Sequence, residues 1–278
     1  MYIESLSDQG TVKHAEDMLI FNPPFLGVLD GVSSLYTVQP KMFDDLTDGQ
    51  LICKIIGIAF AKAQKFSSLE HVLKMANESV RDLLQKNENY DISRSETLPG
   101  ATFSVVKIND KTIEIMQAGD ALALTVLKNN KFDITKNQLL QHEAECNRII
   151  ARLMKEHDGD RKKVWEQFAP ELTKLRQKHV NQTILGGYGL LNGQYELENC
   201  WSKKLFKREE VSEIFLFTDG LISFKETVNP EKLAHKIIEL YREGGLHNIL
   251  NNTRQVEDKE KNQSHIDYAE ATALIIRF

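Results

Sequence analysis

Cysteine is scarce in this chain. Cys53, Cys146 and Cys200 are the only three among 278 residues, and no two form a CxxC pair. A disulfide framework and a zinc ribbon are therefore excluded as organising devices, and reduced thiols are the simpler reading. A basic excess is missing too. Lys and Arg number 35 against 40 Asp and Glu, a formal net charge of −5, so nothing in the charge balance suits a nucleic-acid partner. Long apolar runs are absent: the longest, LICKIIGIAFA at 51–61, is interrupted by Lys54 and too short for a membrane span. The opening MYIESLSDQG has no apolar segment of a secretory signal. The expected localisation is cytoplasmic. The Gly-rich NQTILGGYGLLNG (181–193) lacks the Gly-Lys-Ser/Thr of a P-loop, and the eight histidines are scattered with no His-x-x-x-His pair.

What the chain does have is an ordinary globular balance, 41% hydrophobic and 27% charged. MYIESL (1–6), DMLIF (17–21) and FLGVL (25–29) read as strands, the last two joined by a tight Asn-Pro turn as a hairpin. Residues 47–88 read as two helices, with a Thr or Asp cap candidate before the first and Ser68 opening the second. Four short strand candidates between 98 and 135 read as an antiparallel meander. Residues 138–180 are charged and helical, broken at HDGD (157–160). EIFLFTDG (213–220) is a strand, 229–245 a helix with Pro230 near its start, and 270–278 a final strand. Strands at both ends and in the middle, with helices in blocks, indicate an α+β fold: two antiparallel sheets with helices outside. We expect one domain over 1–278.

Carboxylates recur where these strands begin or end. LGVLDGVSS places Asp30 after a buried run, and FLFTDGLIS does the same with Asp219. IMQAGDALAL offers Asp120, AEDML offers Glu16 and Asp17, and SHIDYAEATAL offers Asp267 and Glu270. Each Asp-Gly alone is equally a turn signal. If the strand ends converge, however, the carboxylates form a cluster whose mutual repulsion a divalent cation relieves. Oxygen donors suit magnesium, manganese or calcium better than zinc.

In order and spacing, SDQGTVKHAEDML, FLGVLDGVSS, GATFSVV…IEIMQAGDALAL, EIFLFTDGL and EATALIIRF resemble the metal-dependent serine/threonine protein phosphatases of type 2C, in their bacterial form. The resemblance runs along nearly the whole chain. It implies a sandwich of two antiparallel β-sheets flanked by helices, two or three Mn2+ or Mg2+ ions, and a phosphorylated protein as substrate. It also implies a hydrolase that directs a metal-activated water at phosphorus. Asp30 then matches the aspartate bridging both metals, and Gly31 the glycine that lends its carbonyl. Glu16 matches a ligand of one metal, with Asp17 behind it in the metal set. Asp219 matches a ligand of the other metal, and Asp120 the aspartate that helps hold a third. The helical stretch at about 136–182 falls where the family carries its flap.

Three departures accompany the resemblance. Lys13 stands nearest to the place of the family's phosphate-gripping arginine, and it lacks the guanidinium fork. Ala15 replaces the asparagine usual before Glu-Asp. Direct alignment puts Ala269 where the last metal aspartate belongs; Asp267 is the expected substitute, and strand alternation turns Glu270 away. The catalytic set expected is Asp30, Asp219 and Lys13. The metal set is Glu16, Asp17, Asp30, Gly31, Asp120, Asp219 and Asp267. Two other readings remain beside the phosphatase: a catalytically weak or inactive phosphatase-fold module that binds protein partners, and a calcium-binding or structural sandwich.

Overall fold

The computed structural model describes residues 1–35, 42–43, 45–222, 224–261 and 268–278. Its elements, in chain order, are β1 (Tyr2–Asp8), β2 (Met18–Asn22), β3 (Phe25–Val32), β4 (Met42–Phe43), β5 (Leu46–Thr47), α1 (Asp48–Lys62) and α2 (Leu69–Gln85). There follow β6 (Gly100–Ile108), β7 (Thr112–Ala118), β8 (Leu122–Leu127), β9 (Phe132–Ile134), α3 (Leu140–Glu156) and α4 (Arg161–His179). The chain closes with β10 (Ser202–Lys207), β11 (Val211–Phe217), α5 (Phe224–Thr227), α6 (Pro230–Lys261) and β12 (Ala271–Arg277).

The larger strands form two five-stranded sheets, ordered β1-β12-β11-β8-β9 and β10-β7-β6-β3-β2, with antiparallel neighbours throughout. This is the expected pair of sheets with helices. Leu26, Val28, Ala123, Ile214, Leu216 and Leu274 form the core between the sheets. On the far side of the second sheet, Phe25 and Leu29 join Ile52, Phe60 and Leu73 of α1 and α2. On the far side of the first sheet, Phe215, Phe217 and Ile275 join Leu233 and Ile249 of α6. Strands covered on both faces read as continuous apolar runs rather than alternating ones. That is why FLGVL carries no polar residue.

Alternation still sets direction. Phe25 and Leu29 face the helices, Leu26 and Val28 face the other sheet, so the period of two turns Asp30 toward the sandwich interior. In β11 the same count puts Ile214 and Leu216 inside, and Thr218 follows on that side.

Several sequence expectations change. β3 does not end at Asp30: it continues to Val32, with Asp30, Gly31 and Val32 paired to Thr102, Ala101 and Gly100 of β6. The Asp-Gly turn reading is thereby excluded there. The stretch 98–135 is not one meander. β6–β7 and β8–β9 are hairpins in different sheets, and the chain crosses between sheets at 119–121. α6 runs past 245 to Lys261, with a break at Gly244–Gly245 where Gly245 has φ 72°. β10, an edge strand alternating half-buried and exposed, was not anticipated. HDGD does separate α3 from α4, with Asp160 capping α4 by accepting from the Lys163 N–H.

Candidate metal centre

The crossover and the strand ends bring three aspartates together. Asp30 leaves the middle of β3, Asp120 sits in the β7–β8 crossover, and Asp219 follows β11. Each offers a carboxylate oxygen such that all three lie within 4.8 Å of one another. Asp120 is buried, Asp30 half-buried and Asp219 open to solvent, so the group is reachable from outside. Thr102, the β6 partner of Asp30, donates its Oγ1–H to Asp120 Oδ1 at 2.8 Å. One β-ladder pair thus sets the spacing of two carboxylates. Gly119, at φ 81°, makes the crossover; a Cβ there would stand 2.3 Å from Thr102 Cγ2.

A second tier lies beside this group. Thr218 Oγ1 donates to Asp17 Oδ2 at 2.7 Å and accepts from the Thr272 N–H at 2.9 Å. The other oxygen, Asp17 Oδ1, is buried with no hydrogen-bond partner. Glu270 Oε2 accepts from the backbone N–H of Glu16 at 2.6 Å and of Asp17 at 2.9 Å. Glu270 therefore points into the site, against the expectation that it turns away. It precedes β12, which begins at Ala271, so strand alternation does not govern it. Asp267 lies outside the described residues. Ala269 stands beside Gly220, its Cβ 3.4 Å from where a Gly220 Cβ would be, and brings no donor.

Glu16 faces another way. Its Oε1 accepts from Ser33 Oγ and Thr47 Oγ1, the residue that caps α1. A Cβ on Gly49 would lie 2.3 Å from Glu16 Oε2, so only glycine admits the carboxylate at the helix start. Glu16 is thus not among the three whose oxygens converge. Gly31 packs against it: a Cβ there would meet Glu16 Cβ and O at 2.7 Å and Cys53 Sγ at 3.2 Å. Close approach of two chain segments accounts for this glycine. Lys13 is exposed on the loop between β1 and β2.

Electrostatics agree with an uncompensated acidic pocket. Burial, then Asp219 and Asp17, hold the Asp30 carboxyl well above its usual range. Burial, then Glu270, raise Asp17; Asp219 is exposed as a residue, but the protein packed around its carboxyl desolvates that group, and Asp120 and Glu270 then raise it further. Burial also raises Asp120, Glu16 and Glu270. Cys53, buried beneath, has its thiol pushed well up by burial and then by Asp30, so it is no nucleophile. Hard oxygen donors, an orphaned buried carboxylate oxygen and several raised carboxyls suit a divalent cation such as manganese or magnesium.

Two contributors escaped the sequence reading. Glu270 was seen and given the wrong direction. Asp48, buried at the start of α1, accepts from Tyr90 Oη at 3.0 Å and from Ser34 Oγ; its place as first residue after a Thr cap was the available signal.

The family model of Protein phosphatase 2C matches residues 42–169. Of the three converging aspartates, only Asp120 lies within that stretch. Comparison with curated proteins gives no match in sequence. Among solved structures, the serine/threonine phosphatase Stp1 from Staphylococcus aureus superposes with a TM-score of 0.53 at 14% identity, covering 99% of this chain and 94% of that one. The Mycobacterium tuberculosis serine/threonine phosphatase PstP/Ppp gives 0.52 at 13% identity, covering 99% and 97%. The catalytic domain of PstP in complex with two manganese ions gives 0.51 at 13% identity, covering 99% and 96%. The fold is that of the bacterial type 2C phosphatases. The chain resembles this family in sequence over 42–169 and in architecture over nearly its whole length.

Proposed function

We propose that this chain is a metal-dependent serine/threonine phosphoprotein phosphatase that hydrolyses phosphomonoesters with manganese or magnesium. The observation that carries the reading is the convergence of Asp30, Asp120 and Asp219 on a type 2C fold. Asp30 takes the central position because β3 turns it inward between the other two. Asp219 holds one side, and Asp120 the side of a third, weaker ion. Glu16, Asp17 and Gly31 complete the metal set, with Asp17 Oδ1 the donor that most lacks a partner. Glu270 holds the Glu16–Asp17 backbone in place. Bound divalent ions supply a water acidic enough to attack phosphorus at neutral pH and offset charge on the phosphoryl oxygens. Lys13, on an exposed loop, adds a point charge for the phosphate. The helical stretch 136–182 serves as the flap where substrate choice resides. We place the protein in the cytoplasm; among the described residues, no helix is long and apolar enough to cross a membrane.

The test is hydrolysis of p-nitrophenyl phosphate and a phosphothreonine peptide, with manganese, magnesium or chelator. Metal-dependent turnover is expected, reduced on the order of 100-fold or more in Asp30→Ala and Asp219→Ala. Ala269 and the exposed Lys13 are the observations that favour a second reading, a weak or inactive phosphatase-fold module. Manganese binding by the folded protein without any turnover would select it and sink the first.

A further inference from the structure

The inserted helices carry an opening that the metal centre does not use. Between α3 and α4 lies a groove of about 320 Å3, lined by Ile150, Met154, Arg161, Val164, Trp165 and Phe168. Ile150 and Met154 stand four apart on α3. Arg161, Trp165 and Phe168 follow at intervals of four and three on α4, so each helix gives the groove one stripe. Trp165 stays 43% exposed, its ring centroid 5.9 Å from that of Phe168. A half-exposed tryptophan beside a buried phenylalanine is an anchor position for an apolar side chain from outside.

The rim of the groove is basic. Arg148, Arg152 and Lys155 form a row along α3 at the same helical intervals, bounding a shallow depression with Ala151 and Glu156. Lys162 follows Arg161 at the start of α4. From 148 to 168 there are six basic residues (Arg148, Arg152, Lys155, Arg161, Lys162, Lys163) and four acidic ones (Glu156, Asp158, Asp160, Glu166), an excess of positive charge in a chain of net charge −5. Two of the four carboxylates are already taken: Glu156 pairs with Arg152 at 3.5 Å, and Asp160 with Lys163 at 3.3 Å. Arg148, Lys155 and Lys162 are exposed and, among the described residues, form no ion pair.

An apolar groove with a basic rim suits a chain that brings apolar side chains and carboxylates together. A second copy seated by the same face would set the two basic rims against each other, which disfavours it. A lipid surface takes apolar side chains that stand out from a helix, whereas these line a hollow. We propose that the α3–α4 groove docks an acidic amphipathic segment of the phosphoprotein substrate, separate from the phosphorylated residue. An apolar side chain of that segment fills the groove against Trp165, and its carboxylates meet Arg148, Lys155 and Lys162. The inference rests on the phosphatase reading and deepens it. Docking raises the local concentration of the phosphorylated residue at the metal centre without a new contact there. The charged rim adds speed and salt dependence to the encounter.

The experiment uses two fluorescein-labelled phosphothreonine peptides with one shared reactive sequence. Through a flexible linker, one carries a helical segment of leucine, phenylalanine and glutamate, and the other the same segment with lysine for glutamate. Anisotropy measures their binding to the full chain, and hydrolysis with manganese gives KM and kcat. The proteins are wild type, Trp165→Ala and the double variant Arg148→Glu, Lys155→Glu. The acidic peptide should bind wild type roughly 10-fold tighter than the basic one, with KM lowered to match and kcat unchanged. High salt should shrink that advantage, and each variant should lose it while hydrolysing p-nitrophenyl phosphate like the wild type. Equal binding of the two peptides overturns the inference, and so does a preference that survives both variants. Capture of wild type, but not of the charge-reversed variant, by phosphatidylserine vesicles with no peptide preference overturns it in favour of a membrane. The preference without any hydrolysis would keep the docking groove and remove the phosphatase reading; hydrolysis without the preference would do the reverse.

Discussion

Two helical pairs pack on this protein, and they are held by different means. α2 buries Leu69, Val72, Leu73, Ala76, Val80 and Leu84 along one face, and α1 adds Ile52, Ile56 and Phe60. Both helices are capped by side chains: Thr47 accepts from the Gln50 N–H, and Ser68 from the His71 N–H. In the other pair, α3 buries only His142 and Leu153, and α4 buries Val164, Phe168, Arg176 and His179. Its apolar contacts form a small separate cluster around Leu153, Val164 and Phe168. Four of the eight buried side-chain polar atoms without partners among the described residues lie in it: Glu143 Oε2, His157 Nε2, Arg176 Nε and His179 Nε2. A layer built for stability satisfies its buried polar groups. The first pair is part of the core; the second packs through its own small cluster.

The largest expected effect tests that contrast in the apolar contacts. Leu73→Ala should cost about 2–5 kcal/mol and lower the melting temperature of the whole protein. Phe168→Ala should cost less, roughly 1–2 kcal/mol, and show as faster proteolysis between α3 and α4 with little change in global melting. Equal losses of global stability would break the comparison.

The next effect is pH dependence without metal. Burial, then Asp120 and Asp219, push the Glu143 carboxyl up to about 8, and Glu16, Asp17, Asp30 and Asp219 move the same way. Between the ordinary carboxylate range and about 8, the folded chain therefore holds more protons than the unfolded one. Its stability falls as pH rises through that window. Melting in chelator should be highest near the acid end and decline toward pH 8, and manganese should cancel the decline. A melting temperature that climbs over the same range in chelator would contradict the reading of an uncompensated cluster.

The smallest pair of effects compares a satisfied group with an unsatisfied one. Thr47→Ala removes the α1 cap and a bond to Glu16, and should cost about 1–2 kcal/mol. Arg176 is buried, and burial lowers its pKa; Nη2 donates to Leu98 O at 2.7 Å while Nε has no partner. Arg176→Met should change stability by less than about 1 kcal/mol, because relief of desolvation offsets the lost bond to Leu98 O and the long one, 3.5 Å, to Ser33 O. Chemical denaturation of the two variants side by side decides it.

How far the sequence could be read followed the range of the forces involved. A Thr or Asp cap before α1 and the start of α2 at Ser68 were legible because a cap bonds within three residues; the structure selects Thr47 and makes Ser68 a cap. The faces of α1 and α2 were legible from apolar spacing. β3 was cut short at Asp30 because Asp-Gly signals a turn locally, while pairing with β6 carries the strand on to Val32. The single meander failed because hairpin signals do not say which sheet each hairpin joins. Glu270 was given the wrong direction by counting along a strand that had not yet begun.

The chain's own order of residues determined the strands, the capped helices and the carboxylates at strand ends, since periodicity and capping act between near neighbours. Only the tertiary structure decided which carboxylates meet. Asp30 and Asp120 are spaced through one ladder pair to Thr102, and Glu270 reaches the Glu16 amide 254 positions away. Such contacts depend on register between strands distant in sequence, and burial then turns their nearness into raised carboxyl pKa values and a place for a cation.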